Sequence, residues 1–596
     1  MRLAALLVVA VLVWSIPVGT ESQDQKPVLY VIATSHLDSQ WNWTVQDSIR
    51  RFVPATFLEN FDRFEKFPNY VFSYEGAIHY MWFKEYHPQE WARLQKYVSQ
   101  GRWRIAGNWI NAVDVNVPSP ESLMRHALYA KQFFRREFGK VGTDVYLPDC
   151  FGFGFALPSI ARHSGLNAFT TQKLTWGSSY GIPFPIGRWK GVDGSEVVAA
   201  LNPGAYVTRI ESDIAMDPKW SDDPTPLGNG RAVVYRLFGV GDVGGAPQPE
   251  SVEWLEKSLA NQGGKVQVRN TSVDQLANDL TEAEKAALPV YEGELTMKTH
   301  GVGTHSSQAM MKRLNRQNEL LADAAERASV AAEWLGGLAY PLDRLREAWT
   351  RVLWHHFHDD VTGTSIPQAY QFSWNDEFVS LNQFAGVLTS ATSSVASRLD
   401  TQTTGIPLVV YNPLAVARID PVEATVEFKD AAPAAIRVLD AVSGRAVPAQ
   451  IIGRQGRQVT LMFLAAMPSV GFKVYGVEAS RTPTTWPSEL RVTPTTLANA
   501  RYTVTIDANG DIASVIDREA KRELLKSPIR LEMRDDPSPD KPAWRILWET
   551  VSAPVREYLT GPPVVRIAEQ GPVRASLEIT RRAAGSTIVQ LSLIHI

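Results

Sequence analysis

Cysteine is almost absent from this sequence. Among 596 residues there is one, Cys150. A single cysteine excludes an intrachain disulfide and a cluster of thiolate metal ligands. Any metal site in the chain must therefore be built from histidine and carboxylate side chains.

An excess of either charge is also lacking. Lys and Arg number 60 against 63 Asp and Glu, for a net charge of −3. A dedicated nucleic-acid binder needs a clear basic excess, so we expect no nucleic-acid partner. Hydrophobic residues make up 44% and charged residues 21%, which excludes a wholly disordered or fibrous chain. At about 150 residues per domain, the length corresponds to roughly four domains.

Only the start of the sequence carries a long apolar run. Arg2 precedes the continuously apolar segment Leu3–Trp14, and small residues follow as far as Thr20. This pattern predicts a signal peptide over residues 1–20 and export to the periplasm or the extracellular space. The alternative is a retained N-terminal membrane anchor, although Pro17 and Gly19 leave the apolar run shorter than a spanning helix needs. Beyond this segment we expect no stable membrane partner.

The predicted secondary structure of the rest of the chain changes twice, near residues 295 and 402. Residues 27–295 alternate short apolar strands with amphipathic helices, which predicts an α/β domain with parallel strands, either barrel-like or open. We expect the barrel-like form and expect this to be the catalytic domain. Residues 296–402 are helical and predict a three-helix bundle. Residues 403–596 hold short strands separated by turns and predict a β-sandwich region. Because residues 587–596 have the pattern of a strand with no turn after it, we expect this region to be incomplete and the protein truncated.

Polar side chains follow three of the predicted strands. In parallel α/β folds the functional residues lie at the carboxyl ends of the strands. His36 and Asp38 follow the first strand two residues apart, so their side chains can point the same way as metal ligands. Alternatively, His36 is an edge residue and Asp38 a helix cap. Asp149 follows another strand, with a helix cap as its alternative role, and Asp242 lies in a glycine-rich turn that lacks the Gly-Lys-Ser/Thr ending of a phosphate loop.

A histidine cluster forms a fourth group. His355 and His358 are spaced to share one face of a predicted helix, next to Asp359 and Asp360. Such a cluster alone is more often a polar network than a metal site. Together with the His and Asp residues at the strand ends, it is compatible with a zinc site of about four nitrogen and oxygen ligands.

Five motifs follow one another along the sequence: His36-Leu-Asp38-Ser-Gln-Trp41-Asn-Trp43, Leu147-Pro-Asp149-Cys-Phe151-Gly152, Gly241-Asp242-Val-Gly-Gly245, Gly293-Glu-Leu295 with Lys312-Arg-Leu-Asn315-Arg316, and His358-Asp359-Asp360-Val-Thr362-Gly363-Thr364. In order and spacing they resemble glycoside hydrolase family 38, the α-mannosidases, over about residues 28–520. The Gly-Asp-x-Gly-Gly form and the His-x-Asp motif followed by Trp-x-Trp are closer to the bacterial and cytosolic-type branch than to the Golgi type.

The resemblance implies a zinc-dependent retaining α-mannosidase that removes terminal α-linked mannose from oligosaccharides by double displacement. In that family's terms Asp149 is the nucleophile and Asp242 the general acid/base. One zinc ion per chain is held by four residues: His36, Asp38, Asp149 and His358. The residues that contact the sugar are Trp41, Phe151 and Asp359, to which we add Asp114 because it follows a strand-like segment.

Two other functions remain open on the sequence alone. Metal-dependent polysaccharide deacetylases use a related α/β barrel with His and Asp ligands, where the metal activates water. An inactive carbohydrate-binding fragment is the third hypothesis. The sequence leaves the oligomeric state open, a homo-oligomer included, and it does not choose between zinc and another divalent ion such as cobalt.

Overall fold

The computed structural model describes residues 26–537 and 540–596, which divide into two compact units. The first unit holds residues up to Ser39 together with Val45–Val115 and Leu123–Thr296, and the second holds Gln40–Thr44, Asn116–Ser122 and Met297–Ile596. The predicted signal peptide lies outside the described residues. Within the described part of the chain, no helix has both the length and the apolar character needed to cross a membrane.

The first sheet of the first unit is built around one strand that is buried at every residue after Val28. Val28–Ser35 has the sequence VLYVIATS, rich in the β-branched residues that favour strands, and it pairs in parallel on both sides. The six strands are Trp103–Ile105, Phe72–Tyr74, Val28–Ser35, Ala232–Val240 and Thr225–Pro226 in spatial order, with Gln267–Asn270 also paired to Val28–Ser35. The short strand Thr225–Pro226 is antiparallel to its neighbour.

The second sheet of this unit has five strands. They are Val290–Glu292, Ile186–Lys190, Glu196–Ala200, Ala168–Thr170 and Asp144–Tyr146 in spatial order. All neighbours run in parallel except Ile186–Lys190 and Glu196–Ala200, which are antiparallel.

The two sheets enclose one interior. A single hydrophobic cluster receives Ile32 and Leu237 from the first sheet and Ala168 and Val198 from the second. Where the sheets adjoin, the Asp144 carboxylate accepts hydrogen bonds from the backbone N–H of Gly107 (2.6 Å) and from Asn108 Nδ2 (3.2 Å). At this junction the Asp144 side chain, rather than strand pairing, links the second sheet to the segment that follows Trp103–Ile105. The predicted barrel-like α/β architecture is confirmed.

Helices connect these strands along the chain. The longest, Pro120–Phe138, begins with proline at its first position, as predicted from Ser119-Pro120. The others are Val45–Asp47, the π-helix Ser48–Phe52, Val53–Lys66, Ala77–Tyr86, Trp91–Ser99, Leu157–His163, Pro218–Ser221, Pro249–Ala260, Gln275–Asp279 and Glu282–Ala287, with 3-10 turns at Pro88–Glu90 and Lys173–Trp176. A further 3-10 turn, Val302–His305, belongs to the second unit.

Three long helices begin the main part of the second unit, which confirms the predicted bundle. They are Ala309–Trp334, Leu342–Trp354 and Pro367–Ala396. The first and third approach closely because small residues meet there, among them Ala328, Ala332 and Ala391.

The rest of the second unit is antiparallel β-structure. One sandwich packs the sheet Ile406–Asn412, Gly471–Ser480, Ala435–Asp440 and Ala446–Val447 onto the sheet Arg418–Glu427, Gln458–Met467 and Ala449–Gln455 around a core that includes Val438 and Phe463. A further core, with Leu497 and Leu577, joins two more sheets: Arg491–Thr493, Thr496–Ala498, Tyr502–Ile506, Ile512–Asp517 and Arg522–Glu523, and Val564–Gln570, Arg574–Ala583 and Ser586–His595. A two-stranded pair, Glu532–Met533 with Glu557–Tyr558, and the helix Trp548–Ser552 complete this region.

The last of these sheets offers a stability test. Arg581 is buried, and its Nη1 lies 2.7 Å from Asp511 Oδ1. Arg581→Ala leaves a buried carboxylate without its cation and should lower the free energy of unfolding by about 3–5 kcal/mol. The matched control is Arg566→Ala on the neighbouring strand, whose exposed pair with Glu578 is worth about 0–1 kcal/mol. Urea unfolding measures both variants, and equal destabilisation would contradict this account.

Candidate functional site

Two paired strands fix the first part of the site. Val28–Ser35 and Ala232–Val240 run in parallel register, with Ser35 opposite Val240. Beyond the strand ends the backbone pairing continues, because His36 N–H donates to Val240 O (3.0 Å) and Asp38 N–H donates to Asp242 O (2.8 Å). The backbone of His36, Asp38 and Asp242 is therefore held at one edge of the sheet.

Glycines make this close approach feasible. Gly239 has φ 148°, and a Cβ there would lie 1.8 Å from the carbonyl oxygen of Thr34. At Gly244 a Cβ would lie 2.4 Å from Thr56 Oγ1. Asp242 itself has φ 62°, a left-handed conformation that Asp tolerates better than most residues. The glycine-rich turn thus carries a carboxylate to the strand ends.

His36 is buried between two carboxylates. Its Nδ1 lies 2.7 Å from Glu75 Oε1, and its Nε2 lies 3.1 Å from Asp38 Oδ1. Burial alone would lower the pKa of His36, but the bonds to Asp38 and Glu75 raise it to about 10. The pKa shift means that a positive charge is favoured here, either a proton on the ring or a metal ion that both Nε2 and the Asp38 carboxylate face.

Asp149 brings a third donor to this edge. A ring nitrogen of His36 and a carboxylate oxygen of Asp149 lie within 4.8 Å of one another. One imidazole nitrogen and two carboxylates are ligands that suit zinc and similar divalent ions. The residues of the first unit therefore fit a metal ion, with Glu75 in the position of the carboxylate that orients a metal-binding histidine.

A lysine that the sequence analysis missed contacts Asp149. Lys173 Nζ lies 2.7 Å from Asp149 Oδ1, and the Lys173 side chain is buried. Lys173 follows the strand Ala168–Thr170, which pairs in parallel with Asp144–Tyr146, the strand before Asp149. The same ammonium lies 4.9 Å from the ring centroid of Phe151. Asp149 is thus ion-paired, and the Phe151 ring contacts the same ammonium group. The contact of Phe151 with the sugar stays a prediction.

Asp242 has a different environment. Burial raises the pKa of its carboxyl group, and the negative charge of Asp38 raises it further. A hydrogen bond from the Tyr206 hydroxyl to Asp242 Oδ1 (3.0 Å) acts in the opposite direction. Tyr206, which the sequence analysis also missed, has its ring centroid 5.2 Å from that of His36, with the two ring planes tilted by 51°. Asp242 therefore keeps its proton to higher pH than an ordinary carboxyl group, whereas Asp149 has a cation at its oxygen.

Four predicted site residues remain: His358, Asp359 and Trp41 in the second unit and Asp114 in the first. His358 Nε2 lies 3.5 Å from Asp359 Oδ2, and both side chains are buried. Trp41 accepts a backbone hydrogen bond from Ile366 (2.8 Å). Asp114, in the first unit, is buried in a loop rather than after a strand. The roles of His358, Asp359, Trp41 and Asp114 stay predictions.

The prediction that His355 and His358 share a helix face is wrong. The helix ends at Trp354, and the chain continues through turns over residues 355–363. Polar side chains replace helical hydrogen bonds there: His355 Nδ1 bonds the Asp360 carboxylate, and the Thr362 hydroxyl donates to His358 O. Side-chain bonds of this kind compete with helix continuation.

Sequence profiles of one family match most of this chain. The profile of the glycosyl hydrolases family 38 N-terminal domain matches residues 26–294, that of the alpha mannosidase middle domain matches residues 300–393, and that of the glycosyl hydrolases family 38 C-terminal domain matches residues 497–594.

Individual proteins agree with the profiles. An alpha-mannosidase of Saccharomyces cerevisiae is 30% identical over 58% of this chain and 32% of its own length, and alpha-mannosidase 2C1 of Homo sapiens is 30% identical over 58% and 33%. The chain thus spans about a third of the length of these relatives.

A solved structure shares the fold. The alpha-mannosidase from Enterococcus faecalis V583 superposes with a TM-score of 0.75 at 18% identity, over 93% of this chain and 67% of its own. With the three profiles in order along the sequence, the chain belongs to glycosyl hydrolase family 38.

Proposed function

We propose that this protein is a zinc-dependent α-mannosidase that removes terminal α-linked mannose from oligosaccharides with retention of anomeric configuration. Family membership and the names of the relatives support the α-mannosidase activity. The proposed mechanism rests on one observation, that two carboxyl groups at the same edge of the sheet have different environments. Asp149 is ion-paired to Lys173, whereas the pKa of Asp242 is raised.

The two carboxyl groups have different roles in the proposed retaining mechanism. Such a mechanism needs one carboxylate that attacks the anomeric carbon and one carboxylic acid that protonates the leaving oxygen. The Lys173 ammonium favours the ionised, attacking form of Asp149. Burial and the charge of Asp38 keep the proton on Asp242 to higher pH, so that Asp242 can donate it and later accept one from water.

The metal proposal rests on the donor set. His36, Asp38 and Asp149 would hold the ion, and the family resemblance adds His358 as a fourth ligand. When bound, zinc supplies positive charge that orients sugar hydroxyl oxygens. Glu75 fixes the His36 ring by accepting from Nδ1, so that Nε2 would be the ligand atom when the ion is bound.

Export is a further part of the proposal. It is supported by the apolar segment of residues 1–20 and by its small-residue end.

The activity itself is tested with 4-nitrophenyl α-mannoside and acetylated sugars as alternative substrates. We expect mannose release with the α-anomer formed first, as followed by NMR, because double displacement retains configuration. Asp149→Asn should lower kcat by roughly a thousandfold or more, because the attacking carboxylate is lost. Asp323→Asn, at a half-exposed ion pair on a bundle helix, should change kcat little.

Three outcomes would contradict this proposal. Acetate release without mannose release would indicate a deacetylase. A folded sample that binds mannosides without turnover would indicate a binding protein, and the β-anomer formed first would exclude retention.

The orienting role of Glu75 predicts an effect on metal affinity. Glu75→Gln keeps the size of the side chain but weakens the acceptor for His36 Nδ1, so zinc affinity should fall by about 10–100-fold. Competition with a chromophoric chelator measures it. The control Glu284→Gln changes a buried glutamate of the same unit that bonds Thr281 and Arg231. Unchanged affinity in Glu75→Gln, or no stoichiometric zinc in the wild type, would count against the site.

The acid role of Asp242 predicts a dependence on the leaving group. Asp242→Ala should lower kcat/KM for an α-linked mannobiose by about 100–10,000-fold, because its leaving oxygen needs a proton. The loss should be much smaller for 2,4-dinitrophenyl α-mannoside, whose leaving group departs without one. Equal losses on both substrates would show that Asp242 is not the acid.

The pH profile gives an independent control for Asp242. The Tyr206 hydrogen bond lowers the pKa of Asp242, so Tyr206→Phe should raise that pKa. Since the acid acts below its pKa, the alkaline limb of kcat/KM should move to higher pH.

A further inference from the structure

An exposed aromatic ring lies next to the cation that contacts Asp149. Trp176 is the last residue of the 3-10 turn Lys173–Trp176, and its side chain is 51% exposed. The turn ends at Gly177, whose φ of 117° suits glycine and lets the chain leave directly after the indole. Neither the family motifs nor the proposed mechanism uses Trp176.

Lys173 ties the position of this ring to the reacting carboxylate. Its Nζ lies 4.5 Å from the Trp176 ring centroid and 4.9 Å from that of Phe151, while the same atom lies 2.7 Å from Asp149 Oδ1. Cation–π contacts at such distances hold an aromatic ring in place. Trp176 is therefore anchored beside the site although half of it is open to solvent.

The burial of the two rings differs sharply. Phe151 is 3% exposed, whereas Trp176 is 51% exposed, although both contact one ammonium group. The sugar that reacts must reach Asp149 and therefore lies on the side of Phe151, the buried ring. The outer ring is placed for the next sugar along the chain, whose apolar C–H face can stack on an indole.

We propose that Trp176 is the aromatic platform of a subsite that binds the leaving-group sugar of an oligosaccharide. This rests on the proposed function, because removal of a terminal mannose leaves every further sugar on the leaving-group side. The ligand class is a pyranose of an α-linked oligosaccharide. Trp176 acts by binding and contributes to specificity for oligosaccharides over mannosides with small leaving groups.

Two substrates separate this subsite from the reaction itself. The leaving group of α-mannosyl fluoride is too small to reach a platform, whereas an α-linked mannobiose has a second sugar. Trp176→Ala should lower kcat/KM for mannobiose roughly tenfold and leave that for α-mannosyl fluoride within about twofold. Trp176→Phe keeps an aromatic face and should recover most of the mannobiose activity.

The control removes an exposed tryptophan elsewhere. Trp334, 84% exposed at the end of a bundle helix, should tolerate Trp334→Ala with both substrates unchanged. Equal losses on mannobiose and on the fluoride in Trp176→Ala would overturn the subsite, as would unchanged mannobiose cleavage or a Phe variant as poor as the Ala variant. If the wild type releases mannose from neither substrate, the proposed function fails, and the subsite fails with it.

Discussion

Charge compensation among buried acids governs this site. Glu75 and Asp38 contact the two nitrogens of one buried imidazole, Asp149 lies within 4.8 Å of the same ring, and the charge of Asp38 acts on Asp242. Buried charges without partners cost several kcal/mol each, so this edge of the sheet requires cations. Lys173 supplies one at Asp149. The proposed metal ion would supply the other, held by His36, Asp38 and Asp149.

The α/β scaffold explains why so many acids meet here. Parallel strands end at the same edge, and each ends in a chemically useful residue: His36 after Val28–Ser35, Glu75 after Phe72–Tyr74, and the Asp242 turn after Ala232–Val240. Backbone hydrogen bonds continue past the strand ends, and Gly239 and Gly244 allow contacts that a Cβ would block. Lys173 lies beside Asp149 for the same reason, because the strands that precede them are parallel neighbours in the second sheet.

Sequence reasoning succeeded where the signal is local. Val28–Ser35 contains a continuous apolar run, and the bundle helices Ala309–Trp334 and Leu342–Trp354 have apolar residues at helical spacing. His36, Asp149 and Asp242 stand shortly after apolar runs, which predicted their place at the strand ends, while their roles stay predictions. Glu75 and Lys173 also follow short strands, but their importance depends on which strands are neighbours, and strand order is not a local property. The expected helix through His358 failed because side-chain bonds such as His355–Asp360 end the helix at Trp354.

The central claim is that Asp149 is the residue that bonds to mannose. Incubation with a slowly hydrolysed fluorinated mannosyl fluoride, followed by peptide mass spectrometry, tests it directly. We predict one added fluorinated mannosyl group per chain, located on the peptide that contains Asp149 and absent from the Asp149→Asn variant. A label on another carboxylate, or steady turnover under conditions where no covalent adduct forms, would contradict it.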